Sequence, residues 1–127
     1  MAYTGAMQML TADATAAINT TTDVTSTAII FDTKSIKTAC IYLYVKGDAA
    51  ACAGNITFKL QRSVDRSTWH YLSDIVIAMS GTSQITDSTT NKDLDLTSTQ
   101  WFRLAGVANS ETVAGRTATV NIYIKFD

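Results

Sequence analysis

A lone histidine, two cysteines and one crowded group of acidic side chains are the residues of this chain whose types could support chemistry. His70 is the single imidazole, so any histidine-dependent metal site or general base must run through it. It stands between Trp69 and Tyr71. With Trp69 pointing into a core, the period of two along a strand turns His70 out to solvent as a solvated imidazole. A Cys–His nucleophile would need Cys40 or Cys52 to reach it, and no glycine-rich turn is at hand to form an oxyanion hole. Asp87, Asn91, Asp93 and Asp95 could offer oxygens to a calcium ion, and the Asp93-x-Asp95 spacing puts two carboxylates on one strand face. The segment lacks the glycine and the closing glutamate of a calcium-binding helix-loop-helix loop, so a solvated loop is expected there. No phosphate-cradling glycine motif, nucleophile elbow or paired-cysteine ligand set occurs in the sequence. The expectation is a protein that is not an enzyme and that holds no metal or cofactor.

The elements that would position these residues are strands. From Thr117 to Phe126 apolar and more polar residues alternate, with Ala118, Val120, Ile122, Ile124 and Phe126 on one face and Thr117, Thr119, Asn121, Tyr123 and Lys125 on the other. A half-buried strand requires that pattern, whereas a helix would scatter the same apolar residues around its circumference. Ile56, Phe58 and Leu60 alternate with Thr57, Lys59 and Gln61 in the same way. Asp65-Arg66-Ser67 supplies a tight turn, and Thr68 to Leu72 returns as the hairpin partner. The segment Ile36 to Lys46 is apolar on both faces and reads as a central strand. Shorter strands are expected at Thr25 to Phe31, Asp74 to Met79 and Asp93 to Leu96, with Trp101 to Val107 as the penultimate long one. A polar stretch from Ser80 to Lys92 interrupts them. The first twenty or so residues, with Met7, Met9, Leu10 and a run of alanines and threonines, read as a weak strand or extended arm.

The whole predicts an all-β, single β-sandwich, jelly-roll or immunoglobulin-like, of roughly seven to nine strands. Residues 1–24 form the N-terminal arm and first strand, and 25–127 the sandwich. A length of 127 residues, 46% of them hydrophobic, suits one packed core. The net charge of -1 and the singly scattered lysines and arginines give little support to nucleic-acid binding. No apolar run is long enough to span a bilayer. The amino terminus lacks the basic and apolar regions of a signal peptide, which predicts synthesis in a cytoplasm. Threonine is abundant and proline absent, a composition that favours half-exposed strand positions.

Cys40 falls well back from the turn that would bring it near Cys52. Two reduced thiols are therefore expected, with Cys40 as a small core residue. Trp69, Trp101, Tyr42, Tyr44, Tyr71 and Tyr123 are the residue types that stack on sugar rings. Trp69 and Trp101 each sit beside an apolar residue on a long strand and are expected in the core, leaving Tyr42, Tyr44 and Tyr123 more exposed.

The stretch Phe58-Lys59-Leu60-Gln61-Arg62-Ser63-Val64-Asp65-Arg66-Ser67-Thr68-Trp69 resembles a hairpin of small β-sandwich proteins of tailed-bacteriophage particles. Its marks are a strand ending in Gln-x-Ser, a turn opening on Asp, and then Ser-Thr-Trp. Trp101-Phe102-Arg103-Leu104, followed by a long last strand, is similar to the same proteins. Discoidin-type sugar-binding modules use a related Asp-turn-Trp hairpin, but with a glycine after the Asp where this chain has Arg66. The resemblance implies a bacteriophage structural protein, a capsid decoration or cement protein that binds the major capsid protein on the virion surface. It implies a homo-oligomer as well, with a trimer favoured. Met7, Met9 and Leu10 of the arm, and Gly47, Asp48, Ala50 and Gly54 of the small-residue loop 47–54, are the candidate capsid or subunit contacts. For the arm the alternative is that it covers its own core; for the loop, that it is a plain hairpin tip. A carbohydrate-binding module and a tail or fibre receptor-binding component are the alternatives for the chain, and neither nucleic acid nor membrane is expected as a partner.

Overall fold

The alternation near the chain's end becomes a nine-residue strand, Ala118–Phe126, whose Ala118, Val120, Ile122, Ile124 and Phe126 are all buried. The computed structural model describes residues 7–9, 14–16, 20–23, 29–86 and 93–126. Among them lie eleven strands and no helix, hence no helix long and apolar enough to cross a membrane. They are β1 (Met7–Gln8), β2 (Ala14–Ala16), β3 (Thr20–Asp23), β4 (Phe31–Asp32), β5 (Thr38–Gly47), β6 (Asn55–Ser63), β7 (His70–Ala78), β8 (Gln84–Ile85), β9 (Asp93–Asp95), β10 (Trp101–Asn109) and β11 (Ala118–Phe126).

Every recorded pairing is antiparallel. One sheet runs β1-β11-β5-β8, with β2 also on β11 and β9 also on β5; the other runs β3-β10-β6-β7, with β4 also on β10. Short strands that share an edge therefore act in pairs, β1 with β2, β3 with β4, and β8 with β9. Each layer is then four strands wide, and the order is that of a jelly roll. The core between the layers is built from Ile41, Leu43 and Val45 of β5, Ile56, Phe58 and Leu60 of β6, Phe102 and Leu104 of β10, and the inner face of β11.

The described part of the arm lies on the sandwich. Met7 and Gln8 pair with Ile124 and Tyr123, while Ala14 to Ala16 pair with Val120 back to Ala118. Between these two ladders Met9 is fully buried and its amide donates to the Ile122 carbonyl at 2.8 Å. Asn121 Oδ1 accepts from the Ile122 amide at 2.8 Å, satisfying a donor where the edge ladder is interrupted.

Two bulges shape the second sheet. Ala105 is the extra residue between Leu104, opposite Leu60, and Gly106, opposite Lys59. Leu72 is the extra residue between Tyr71, opposite Gln61, and Ser73, opposite Leu60. An extra residue reverses which face the following side chains reach. Thus Val107 joins Phe102 and Leu104 inside, and Tyr71 is 70% exposed although Ile75 and Ile77, of the same parity, are buried.

Expectations for Cys40 and for the strand over residues 25–31 change. Cys40 falls in register with Tyr42 and Tyr44, away from Ala39, Ile41, Leu43 and Val45, and is only half-buried; Cys52 is the buried thiol, and both cysteines are free. Of the expected strand over residues 25–31, Ile29 and Ile30 are not in a strand, Phe31 opens β4, and 25–28 lie outside the described residues.

Candidate functional site

The two ends of the sandwich differ in how their side chains are used. At one end the loops 48–54, 79–83 and 110–117 are closed onto one another. Glu111, 7% exposed, accepts hydrogen bonds from the amides of Ala53 (2.9 Å) and Gly54 (3.1 Å), with Arg116 Nη1 at 3.5 Å from its other oxygen. Those two amides, Ala53 foremost, and then Arg116 hold the Glu111 carboxyl below its ordinary range. Asn109 Oδ1 accepts from the Glu111 amide, and its Nδ2 donates to the Arg116 carbonyl. The Gly81 amide donates to the Cys52 carbonyl at 2.8 Å, and the Met79 amide to that of Gly54 at 2.9 Å.

The sequence-derived contact residues fall into this frame. Gly47 is buried against Gly81 and Cys52. Gly54 is half-buried and its amide is bound by Glu111. Asp48 is exposed and accepts from the hydroxyls of Thr117 (2.6 Å) and Thr119 (3.1 Å). Ala50 is exposed. Met7 is half-buried against the core, Met9 is inside it, and Leu10 lies outside the described residues. The small side chains of the loop thus have a use within the chain itself.

The other end, formed by the loops 33–37, 64–69 and 96–100, turns a different chemistry outward. Ser63 Oγ accepts from the amides of Asp65 (3.2 Å) and Arg66 (2.9 Å) and donates to Asp65 Oδ1 at 2.9 Å. Asp65 Oδ1 also accepts from the amides of Thr68 (2.7 Å) and Ser67 (2.8 Å). This is an Asx-type turn built from the residues that carry the phage resemblance. The Thr68 amide, then that of Ser67, then the Ser63 hydroxyl lower the Asp65 pKa to about 2. A carboxylate so depressed stabilises the fold above its unfolded-state pKa, near 4, and that contribution disappears as pH falls through the folded value. Wild-type thermal midpoints are therefore expected to fall more steeply between about pH 4 and pH 2 than those of Asp65→Asn. Parallel profiles in that window would remove the turn from the acid response.

Trp69 and Trp101 were expected in the core, and the structure places them on the outer face of the second sheet, each half-buried. Phe102 and Leu104 take the inner face of β10, so period two sends Trp101 and Arg103 outward together. Arg103 lies opposite Gln61, which lies opposite Tyr71. Both Arg103 Nε and Nη2 donate to Gln61 Oε1, at 3.0 and 2.9 Å, and its guanidinium sits 4.1 Å from the Trp69 ring centroid. Lys34 Nζ lies 3.7 Å from the Trp101 centroid while paired with Asp32 at 3.1 Å, and the Arg66 guanidinium lies 5.2 Å from the same ring. Indoles with cations over their faces can sit half-exposed without presenting a bare apolar ring.

Beside this row is an open cavity of about 420 Å³ lined by Arg62, Ser63, Val64, His70 and Ser98. Arg62 and His70 are direct cross-strand partners, and both are exposed. His70 is thus exposed, but not because Trp69 points inward: it shares the register of Arg62 and Phe102, on the inner-face parity, and reaches solvent where the strands run past the end of the core. Among the described residues two non-glycine residues have left-handed backbone, Arg66 (φ 64°) and Ser98 (φ 65°). Both border this end, at a cost of about 1–2 kcal/mol each.

Of the calcium candidates, Asp87 and Asn91 lie outside the described residues, Asp93 pairs with Cys40 in the ladder, and Asp95 accepts from the Thr97 amide at 2.9 Å. Among the described residues no group of three or more His, Cys, Asp or Glu side chains is placed to hold a metal ion.

Fold and site together define a jelly-roll sandwich closed at one end and carrying a rim of cations and aromatics at the other. Comparison with family models, curated proteins and solved structures finds no match to this chain.

Proposed function

We propose that this chain is a structural protein of a bacteriophage particle, a capsid decoration protein that binds the major capsid protein and stabilises the head. One observation carries the proposal. The two stretches on which the phage resemblance rests lie side by side, with Trp101 opposite Ser63 and Arg103 opposite Gln61, and Ser63, Asp65 and Thr68 closing the turn that carries Trp69. The fold adds support by analogy, since jelly rolls are frequent in viral shells, though lectins use them too. A decoration protein acts by many weak contacts repeated by symmetry, so a trimer on the capsid surface would gain strength from avidity without any reaction.

A carbohydrate-binding role has its own observation. Tyr42 and Tyr123 face each other across β5 and β11 on the outer face of the first sheet, 38% and 37% exposed, with Tyr44 next along the strand. The test that separates the two is quantification of this chain against the main shell protein in purified particles. Copies near a simple ratio to the shell protein support decoration; absence from particles favours the glycan ligand.

A further inference from the structure

Three of the four sheet edges are formed by short strands. β1 and β2 close one side of the first sheet and β8 and β9 the other, while β3 and β4 close one side of the second; each runs two to four residues. The fourth edge is β7, nine residues long, which among the described residues pairs with β6 alone. A long unpaired edge presents a row of main-chain donors and acceptors to any strand that can align with it, and proteins guard such edges with proline, lysine, bulges or shortness. β7 has no proline and no lysine. Its bulge at Leu72 guards only the half that begins with His70. Beyond the bulge, Ser73 to Ala78 runs in unbroken register along Leu60 back to Asn55.

That run is apolar on both faces. Ile75 and Ile77 lie in the core, and Val76 is 50% exposed on the outer face, where its neighbours across the sheet are the small side chains of Thr57 and then Ala108. Asp74 is the single charge in the run, and it stands opposite Lys59 of its own sheet.

We propose that this edge pairs with the same edge of a second copy of the chain, antiparallel about a two-fold axis through Val76. An axis normal to the sheet keeps each face on its own side, so the register follows. Val76 meets Val76 of the other copy, Ile75 meets Ile77, and Asp74 meets Ala78. The run suits this symmetry, because an isoleucine flanks Val76 on each side. Asp74 falls away from the axis, so the two carboxylates do not oppose each other, as they would in a pairing centred on Asp74. The strand is thus complementary to itself in face and in charge, and a second copy brings that match without any further partner. The paired sheets continue from one copy into the next, and the two Val76 side chains cover each other on the outer face. A ladder this short with one apolar seam belongs to the small, transient class of interfaces, which makes the pairing dependent on concentration. It does not rest on the particle role above, and as a two-fold contact it adds to any contacts made around a capsid axis.

Sedimentation velocity tests it on the full chain. At about 100 µM the wild type is expected to have the mass of an even number of chains, two where no other contact forms, and to lose mass on dilution. Val76→Glu sets two carboxylates face to face at the axis and is expected to halve the mass; Val76→Lys does the same with two ammonium groups. An equimolar mixture of the two variants is expected to restore the wild-type mass, since each charge then meets its opposite. Val113→Glu, at a residue 49% exposed on the loop 110–117, is expected to leave the mass unchanged. Thermal melts of each variant serve as the folding control. An odd number of chains at every concentration, or a mass that Val76→Glu leaves unchanged, overturns the pairing. Failure of the mixture to associate overturns the axis at Val76. Protection of the β7 amides from hydrogen exchange that arises on particles, and not with rising concentration of the chain, overturns the second copy in favour of a strand from another protein.

Discussion

Phe102→Ala is expected to destabilise the fold by about 3–5 kcal/mol, a large part of what a domain of this size has. Phe102 is fully buried, and its ring centroid lies 6.4 Å from that of Phe31. Phe31 in turn meets Phe126 edge to face at 5.2 Å. Because Phe31 and Phe102 belong to one sheet and Phe126 to the other, this chain of rings joins the two layers. It also lies behind the strand that presents Trp101 and Arg103. Removing the ring opens a cavity that the surrounding strands, fixed by their ladders, can fill only in part. Urea denaturation checks it, through the midpoint at unchanged slope. A loss below about 1 kcal/mol would mean that the two layers are not joined through these rings.

Gly47→Ala is expected to cost about 3 kcal/mol or more, for a different reason. An added Cβ would collide with the Gly81 carbonyl oxygen and lie 2.8 Å from Cys52 Cβ. Neither neighbour can swing aside, because Gly81 is hydrogen-bonded to Cys52 and the loop beyond is held by Glu111. Relief would require two loops to move together. Gly115→Ala is the control: Gly115 has φ 85° and nothing within 4 Å of an added Cβ, so only backbone strain of about 1–2 kcal/mol is expected. Equal losses for the two would show that the close approach at Gly47 is easily relieved. The comparison bears on function too, since a glycine needed for internal packing has no need of a capsid contact to explain it.

Much of the frame could be read from residue spacing. β11, the alternation of Ile56, Phe58 and Leu60 and the Asp65 turn all follow from a period of two and turn chemistry, whereas His70 is exposed because it lies past the end of the core and not because Trp69 points inward. The rim was harder to see because two bulges change the parity within strands. Trp101 and Val107 share a parity in sequence, yet Ala105 puts them on opposite faces. Tyr71 and Ile75 are separated in the same way by Leu72. Apolar neighbours then suggested a core place for the tryptophans, although the alternation of Trp101 and Arg103 with Phe102 and Leu104 held the contrary signal. For Cys40, the period of Ala39, Ile41, Leu43 and Val45 was enough to send it outward with Tyr42. Nothing local marks Glu111 as buried, nor Arg62 as a neighbour of His70, since both depend on which strands and loops meet. The scatter of basic residues along the chain concealed their gathering for the same reason.

The most direct test of the particle role is quantitative mass spectrometry of purified, salt-washed particles, with the main shell protein as internal standard. The expected result is a copy number in the hundreds, in a simple ratio to the shell protein and retained through the wash. Absence of the chain, or copies that wash away without reaching any fixed ratio, would contradict a decoration role.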